Sequence, residues 1–147
     1  MTRHEPRPRL ILVAEDDRGI LQLIVTRLAL AGYQTAQARD GWETLACVQS
    51  SRPDAILLDI NMPHLDGFGV LRRLNAKPVR PPPIMVLSAR NASADIKLAL
   101  SLGAKDYLAK PFQDELLLAR VARLLRPRPQ IPATPPPPVE QDDAILL

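Results

Sequence analysis

Cysteine, aromatic residues and long apolar runs are all scarce in this 147-residue chain. The single cysteine, Cys47, excludes an internal disulfide framework and any CxxC metal site. Aromatics make up 3% of the residues, so the core must rest on Leu, Ile, Val and Ala. No apolar run approaches the roughly 18 residues that cross a bilayer. The LILVA run behind the basic N-terminus is shorter than a signal-peptide core of about 7–15 residues, and no cleavage site follows it. A cytoplasmic protein with no membrane partner is expected. Long basic runs are lacking too. The formal charge is +3 and the isoelectric point about 9.4, but the arginines are spread along the chain as on a solvated surface.

Proline is abundant and concentrated. Seven of the sixteen prolines fall between Pro127 and Pro138, where neither a helix interior nor a central strand can form. The expected division is a disordered arm over 1–8, one globular domain over 9–126 and a proline-rich tail or linker over 127–147.

Within 9–126 strands and helices alternate. LILVA (10–14), the AILLDI stretch as far as Asp59 (55–59) and IMVLS (84–88) are apolar runs, the signature of parallel strands buried on both faces. YQTAQA (33–38) reads as a weaker strand and DYLA (106–109) as a short one. Helical spacing covers 17–31, with Ile20, Leu21, Ile24, Val25 and Leu28 recurring before Gly32. Further helices are expected over 41–51 (with Leu45 and Val48 inward), 67–76, 92–102 and 113–125. Five strands alternating with five helices imply a doubly wound α/β domain with one five-stranded parallel sheet. A flavodoxin-like (βα)5 arrangement with strand order 2-1-3-4-5 is expected, although periodicity alone does not dictate the order.

In such a sheet the functional crevice lies beyond the carboxyl ends of the strands. Those ends carry Glu15, Asp16 and Asp17 after the first strand, Asp59 and then Asn61 after the third, and Ser88 and Arg90 after the fourth. Lys110 follows the fifth. An acidic residue ahead of a helix also serves as an N-cap, the reading that suits Asp17 best. Converging carboxylates raise one another's pKa unless a cation neutralises them. All the ligands on offer are hard oxygens, so Mg²⁺ or Mn²⁺ fits and zinc does not. A carboxylate beside such a cation, a hydroxyl and a lysine suits formation of an aspartyl phosphate, with Asp59 as nucleophile and Glu15 and Asp16 as metal holders.

The motifs LILVAEDD, AILLDINMPHLDGF, IMVLSAR and GAKDYLAKPF, in this order, resemble the receiver domains of two-component response regulators. The resemblance covers about Leu10 to Arg126. It implies that Asp59 accepts a phosphoryl group from a sensor histidine kinase or histidine phosphotransferase. Asp16 and Asp59 would bind Mg²⁺ directly, with the backbone carbonyl of Asn61 completing the protein ligands and Glu15 acting through water. Glu15 departs from the commoner Asp. Ser88 and Tyr107 would be the switch residues, Lys110 would contact the phosphoryl group ahead of a cis proline, and Asn61 and Arg90 would tune its lifetime. The output face would be the fourth helix, fifth strand and fifth helix.

Two kinds of output fit: a stand-alone regulator, or the N-terminal part of a DNA-binding regulator joined through the proline-rich segment. LLARVARLLR resembles the fifth helix of winged-helix regulators, which form phosphorylation-dependent homodimers. Lys105 and Leu116 replace acidic residues of that dimer face, so the dimer does not carry over directly. No DNA-reading helix is evident in 127–147, and no specific DNA binding by this chain is expected. The alternative function is a Mg²⁺-dependent phosphatase with an aspartate nucleophile. It requires a second aspartate two residues after the first, where Asn61 stands.

Overall fold

Strands and helices alternate without exception in the computed structural model, which describes residues 7–126. In chain order they are β1 (Leu10–Ala14), α1 (Arg18–Leu30), β2 (Gln34–Ala38), α2 (Gly41–Ser51), β3 (Ala55–Asp59) and α3 (Gly67–Asn75). Then come β4 (Ile84–Ser88), α4 (Ser93–Ser101), β5 (Asp106–Ala109) and α5 (Asp114–Leu125). The strands form one parallel sheet in the order β2-β1-β3-β4-β5, the flavodoxin-like arrangement expected. The expected tail and residues 1–6 of the expected arm lie outside the described residues; of the arm's last two residues, Arg7 is placed 3.8 Å from Asp54 Oδ1.

The pleat splits each apolar run between two cores. Leu12 and Ala14 of β1, Ile56 and Leu58 of β3 and Val86 of β4 face α3, where Val70, Leu71 and Leu74 are buried. Ile11, Val13, Leu57, Met85 and Leu87 face the other way, onto Leu21, Ile24 and Leu28 of α1 and Leu117 and Val121 of α5. β1, β3 and β4 are therefore covered on both faces, as their unbroken apolar sequences require. β2 lies at an edge and is the one strand built largely of polar residues.

Element ends differ from the sequence expectation by a residue or so, because several terminal residues act as caps. Asp17 precedes α1 in extended conformation and its carboxylate accepts the Ile20 N–H at 3.0 Å. Asp40 and Asp66 cap α2 and α3 in the same way. On α2 the expected inward residues, Leu45 and Val48, are only half-buried, and Gly41 and Thr44 are the enclosed ones. The reason is close approach: a Cβ at Gly41 would lie 2.2 Å from the Leu65 carbonyl oxygen. The buried Thr44 hydroxyl donates to the Asp40 carbonyl at 2.7 Å, so its enclosure leaves no polar group unpaired.

From β1 the chain crosses to β2 on one side and then returns past β1 to build β3, β4 and β5 on the other. The reversal lies between β1 and β3, so their carboxyl ends flank the crevice.

Candidate phosphoacceptor site

Each central strand delivers a polar residue to this crevice. β1 runs into Glu15 and Asp16, while Asp59 is the last residue of β3. Glu15, Asp16 and Asp59 each offer a carboxylate oxygen, and these atoms lie within 4.8 Å of one another. Glu15 and Asp59 are buried; Asp16 is half-exposed. Asp17 points elsewhere, into its capping bond.

Lys110, the first residue past β5, supplies the counter-charge. Its ammonium lies 2.5 Å from Glu15 Oε1 and 3.6 Å from Asp59 Oδ2, and its side chain is only 14% exposed. The Lys110–Pro111 peptide is cis. Glu15 also accepts the Asp17 N–H, at 3.2 Å through Oε2. One lysine thus faces two buried carboxylates and a third nearby. The imbalance appears in Asp59, whose carboxyl is pushed up to about 6, first by burial and then by the Glu15 charge. The Lys110 ammonium and the Asn61 N–H act in the opposite sense.

The remaining candidate residues gather beside the carboxylates. Ser88, fully buried at the end of β4, accepts the Arg90 N–H through Oγ at 3.0 Å. The Asn61 N–H makes a long 3.4 Å contact with Asp59 Oδ1. The Asn61 side chain faces outward and accepts from Arg90 Nη1 at 3.4 Å. Tyr107, half-buried on β5, donates its hydroxyl to the Arg90 carbonyl. Two further residues join this group that sequence reasoning did not single out. Asp95, in the first turn of α4, binds the Arg90 guanidinium, and the Phe68 ring lies beneath that guanidinium. A first-turn carboxylate is favoured by the helix dipole and was a visible signal for Asp95. Phe68 gave none, because an aromatic on α3 reads equally well as core.

A divalent cation suits this donor set chemically. Three carboxylates converge around a single ammonium, and burial followed by the Glu15 charge raises the Asp59 pKa, so a cation there would offset both. An open groove bounded by Arg80, Pro82, Lys105 and Arg123 lies at the opposite end of the sheet and contributes nothing here.

The profile of the response regulator receiver domain matches residues 11–122. The chain belongs to this family. Similar curated proteins include response regulator MprA of Mycolicibacterium vanbaalenii, 44% identical over 119 residues, which are 81% of this chain and 51% of that protein. The transcriptional regulatory protein PrrA of Mycobacterium tuberculosis is 47% identical over 118 residues, 80% of this chain and 50% of its own. The chain spans about half the length of the curated relatives it matches. Among solved structures, the receiver domain of the Francisella response regulator 1452 superposes with a TM-score of 0.75 at 36% identity, covering 80% of this chain and 96% of that one. The Vibrio cholerae chemotaxis protein CheY4 gives 0.76 at 32% identity, covering 81% and 100%.

Receiver domains of response regulators work in two-component phosphorelays and interact with histidine kinases. The phosphatase alternative is not favoured, and Asn61 stands where that chemistry needs an aspartate. Among the described residues no helix of this receiver domain is long and apolar enough to cross a membrane.

Proposed function

We propose that this receiver domain takes a phosphoryl group on Asp59 from a phosphohistidine of a sensor kinase or phosphotransferase, and signals through α4, β5 and α5. The observation that carries the reading is the position of Asp59, a buried carboxylate within reach of a half-buried lysine and beside two further acids. In the transfer an Asp59 carboxylate oxygen attacks phosphorus, the P–N bond to the histidine breaks, and the imidazole nitrogen keeps the electron pair. Lys110, already 3.6 Å from Asp59, would move from Glu15 towards the incoming phosphoryl oxygens. Ser88 would turn its hydroxyl from the Arg90 N–H to a phosphoryl oxygen, drawing in the loop that also holds Tyr107.

Glu15, Asp16 and Asp59, with the Asn61 carbonyl, would hold Mg²⁺, which when bound neutralises charge on the transferring oxygens. Asn61 and Arg90, which touch at 3.4 Å, stand where they would govern the access of water.

The output side supports two readings. The similarity to PrrA, a transcriptional regulatory protein of about twice the matched length, favours a domain that controls a DNA-binding neighbour. In that reading 9–126 is the receiver and 127–147 the linker. On the α4–β5–α5 face Asp106 is bound within the chain by Arg120 and Arg123, both at 2.9 Å, while Leu100 and Leu116 are exposed. A dimer on this face would rest more on those leucines than on ion pairs.

The test is intact mass after exposure to a small phosphodonor with Mg²⁺, with Asp59→Asn as control, followed by light scattering. Gain of one phosphoryl group by the wild type alone supports the reading, and no gain sinks it. A phosphorylation-dependent doubling of mass supports a dimerising output. A persistent monomer favours a stand-alone switch.

A further inference from the structure

Arg90 is the meeting point of four elements. Its N–H is bound by Ser88 at the end of β4, and its carbonyl by the Tyr107 hydroxyl of β5. Its guanidinium is divided among three neighbours. Nη2 donates to Asp95 Oδ1 at 3.0 Å and Nε approaches Oδ2 at 3.4 Å, a two-point contact with the first turn of α4. Nη1 reaches Asn61 Oδ1 at 3.4 Å, at the loop behind Asp59. The guanidinium carbon lies 5.5 Å from the centroid of Phe68, within the range of a cation–π contact.

Asp95 is the only carboxylate among these partners. Its side chain is 21% exposed and that of Arg90 43%, so the pair is held by a solvent-screened attraction that is weak on its own. A phosphoryl group carries close to two negative charges and three acceptor oxygens. It would meet the guanidinium on the Asn61 side, where Nη1 already points. We propose that Asp95 is a positioning residue that competes with the phosphoryl group for Arg90: it withholds the guanidinium from the unmodified site, and phosphorylation releases α4 by taking the guanidinium away. This rests on the reading of Asp59 as phosphoacceptor.

The competition fixes the sign of an effect on hydrolysis. In that step water attacks phosphorus, the P–O bond to Asp59 breaks with its electron pair staying on Asp59 as carboxylate, and orthophosphate leaves with both protons of the water, one of which it shares with solvent at neutral pH. A guanidinium on the phosphoryl oxygens blocks the approach of water. Removing Asp95 therefore frees Arg90 for the phosphoryl group and lengthens its lifetime.

The experiment is a double-mutant cycle on the loss of radiolabelled phosphate from the full chain, using wild type, Asp95→Asn, Arg90→Ala and the double variant, with Asp95→Glu as rescue. Asp95→Asn should slow the loss about threefold or more, and Arg90→Ala should hasten it. In the Arg90→Ala background the Asp95 substitution should change nothing, and Asp95→Glu should restore the wild-type rate. A purely structural role for Asp95 would act equally in both backgrounds, and that result overturns the proposal. An unchanged or faster rate in Asp95→Asn overturns it too. A wild type that takes up no phosphate defeats the reading of Asp59 itself, and the competition falls with it.

Discussion

The Lys110 ammonium lies closer to Glu15, at 2.5 Å, than to Asp59, at 3.6 Å, although 95 residues separate Lys110 from Glu15 in the chain. The lysine thus compensates Glu15 first and leaves Asp59 the less compensated of the two. Four expectations follow from this and neighbouring contacts.

Asp59→Asn should stabilise the domain at neutral pH in the presence of a chelator. The Asp59 carboxyl titrates near 3.8 unfolded and about 6 folded. Between these values the native state binds more protons than the unfolded state, so its stability falls as pH rises through this window. Above about pH 6 the full cost applies, on the order of 2–3 kcal/mol for a shift of this size. Urea unfolding should show the variant more stable by about 2 kcal/mol at pH 7.5 and indistinguishable near pH 3.5. A variant no more stable than wild type at pH 7.5 would contradict this account.

Lys110→Met keeps the apolar stem and removes the charge. Glu15 and Asp59 then remain buried without a counter-ion, which should cost roughly 2–4 kcal/mol at pH 7.5. Because Asp59 can relieve the strain by taking a proton, the loss should shrink towards pH 5. A loss of equal size at both pH values would show that packing of the lysine stem, and not its charge, is what matters.

Gly67→Ala tests the close packing behind the site. A Cβ there would lie 2.5 Å from the Asp59 carbonyl oxygen and 2.8 Å from the Ile60 Cα, both backbone atoms that cannot swing aside. The substitution should destabilise by about 1–3 kcal/mol and lower phosphate uptake by displacing Asp59. Wild-type uptake and stability would mean that the β3–α3 loop yields more easily than its geometry suggests.

Ser88→Ala removes the acceptor of the Arg90 N–H and should cost about 0.5–1.5 kcal/mol. Asp59 should still accept phosphate. The amide shifts that phosphorylation produces at residues 105–109 should be much reduced, because the loop loses its link to the phosphoryl group. Unreduced shifts at Tyr107 would rule out Ser88 as the coupling residue.

Much of the fold was legible because parallel strands covered on both faces have unmistakably apolar sequences. LILVA, AILLD and IMVLS are strands in the structure, with β1, β3 and β4 ending at the expected residues. The placement of residues at strand ends was equally legible, since a parallel sheet presents all its carboxyl ends at one edge. What could not be read was which neighbour each group meets. The uniform run LILVA does not say which of its residues turn towards α1 and α5 and which towards α3. Likewise Gly41, an unremarkable residue in sequence, sits against the Leu65 carbonyl and decides how α2 lies.

The sequence by itself determined the order of elements, the acidic and basic residues at the sheet edge, and the family, because these depend on local periodicity and on residue types at strand ends. Only the tertiary structure decided that Lys110 pairs first with Glu15 and that Arg90 is shared among Asp95, Asn61 and Phe68. Attractions between charges fall off over a few ångströms, and which charges come that close is set by the crossovers and the packing of helices on the sheet.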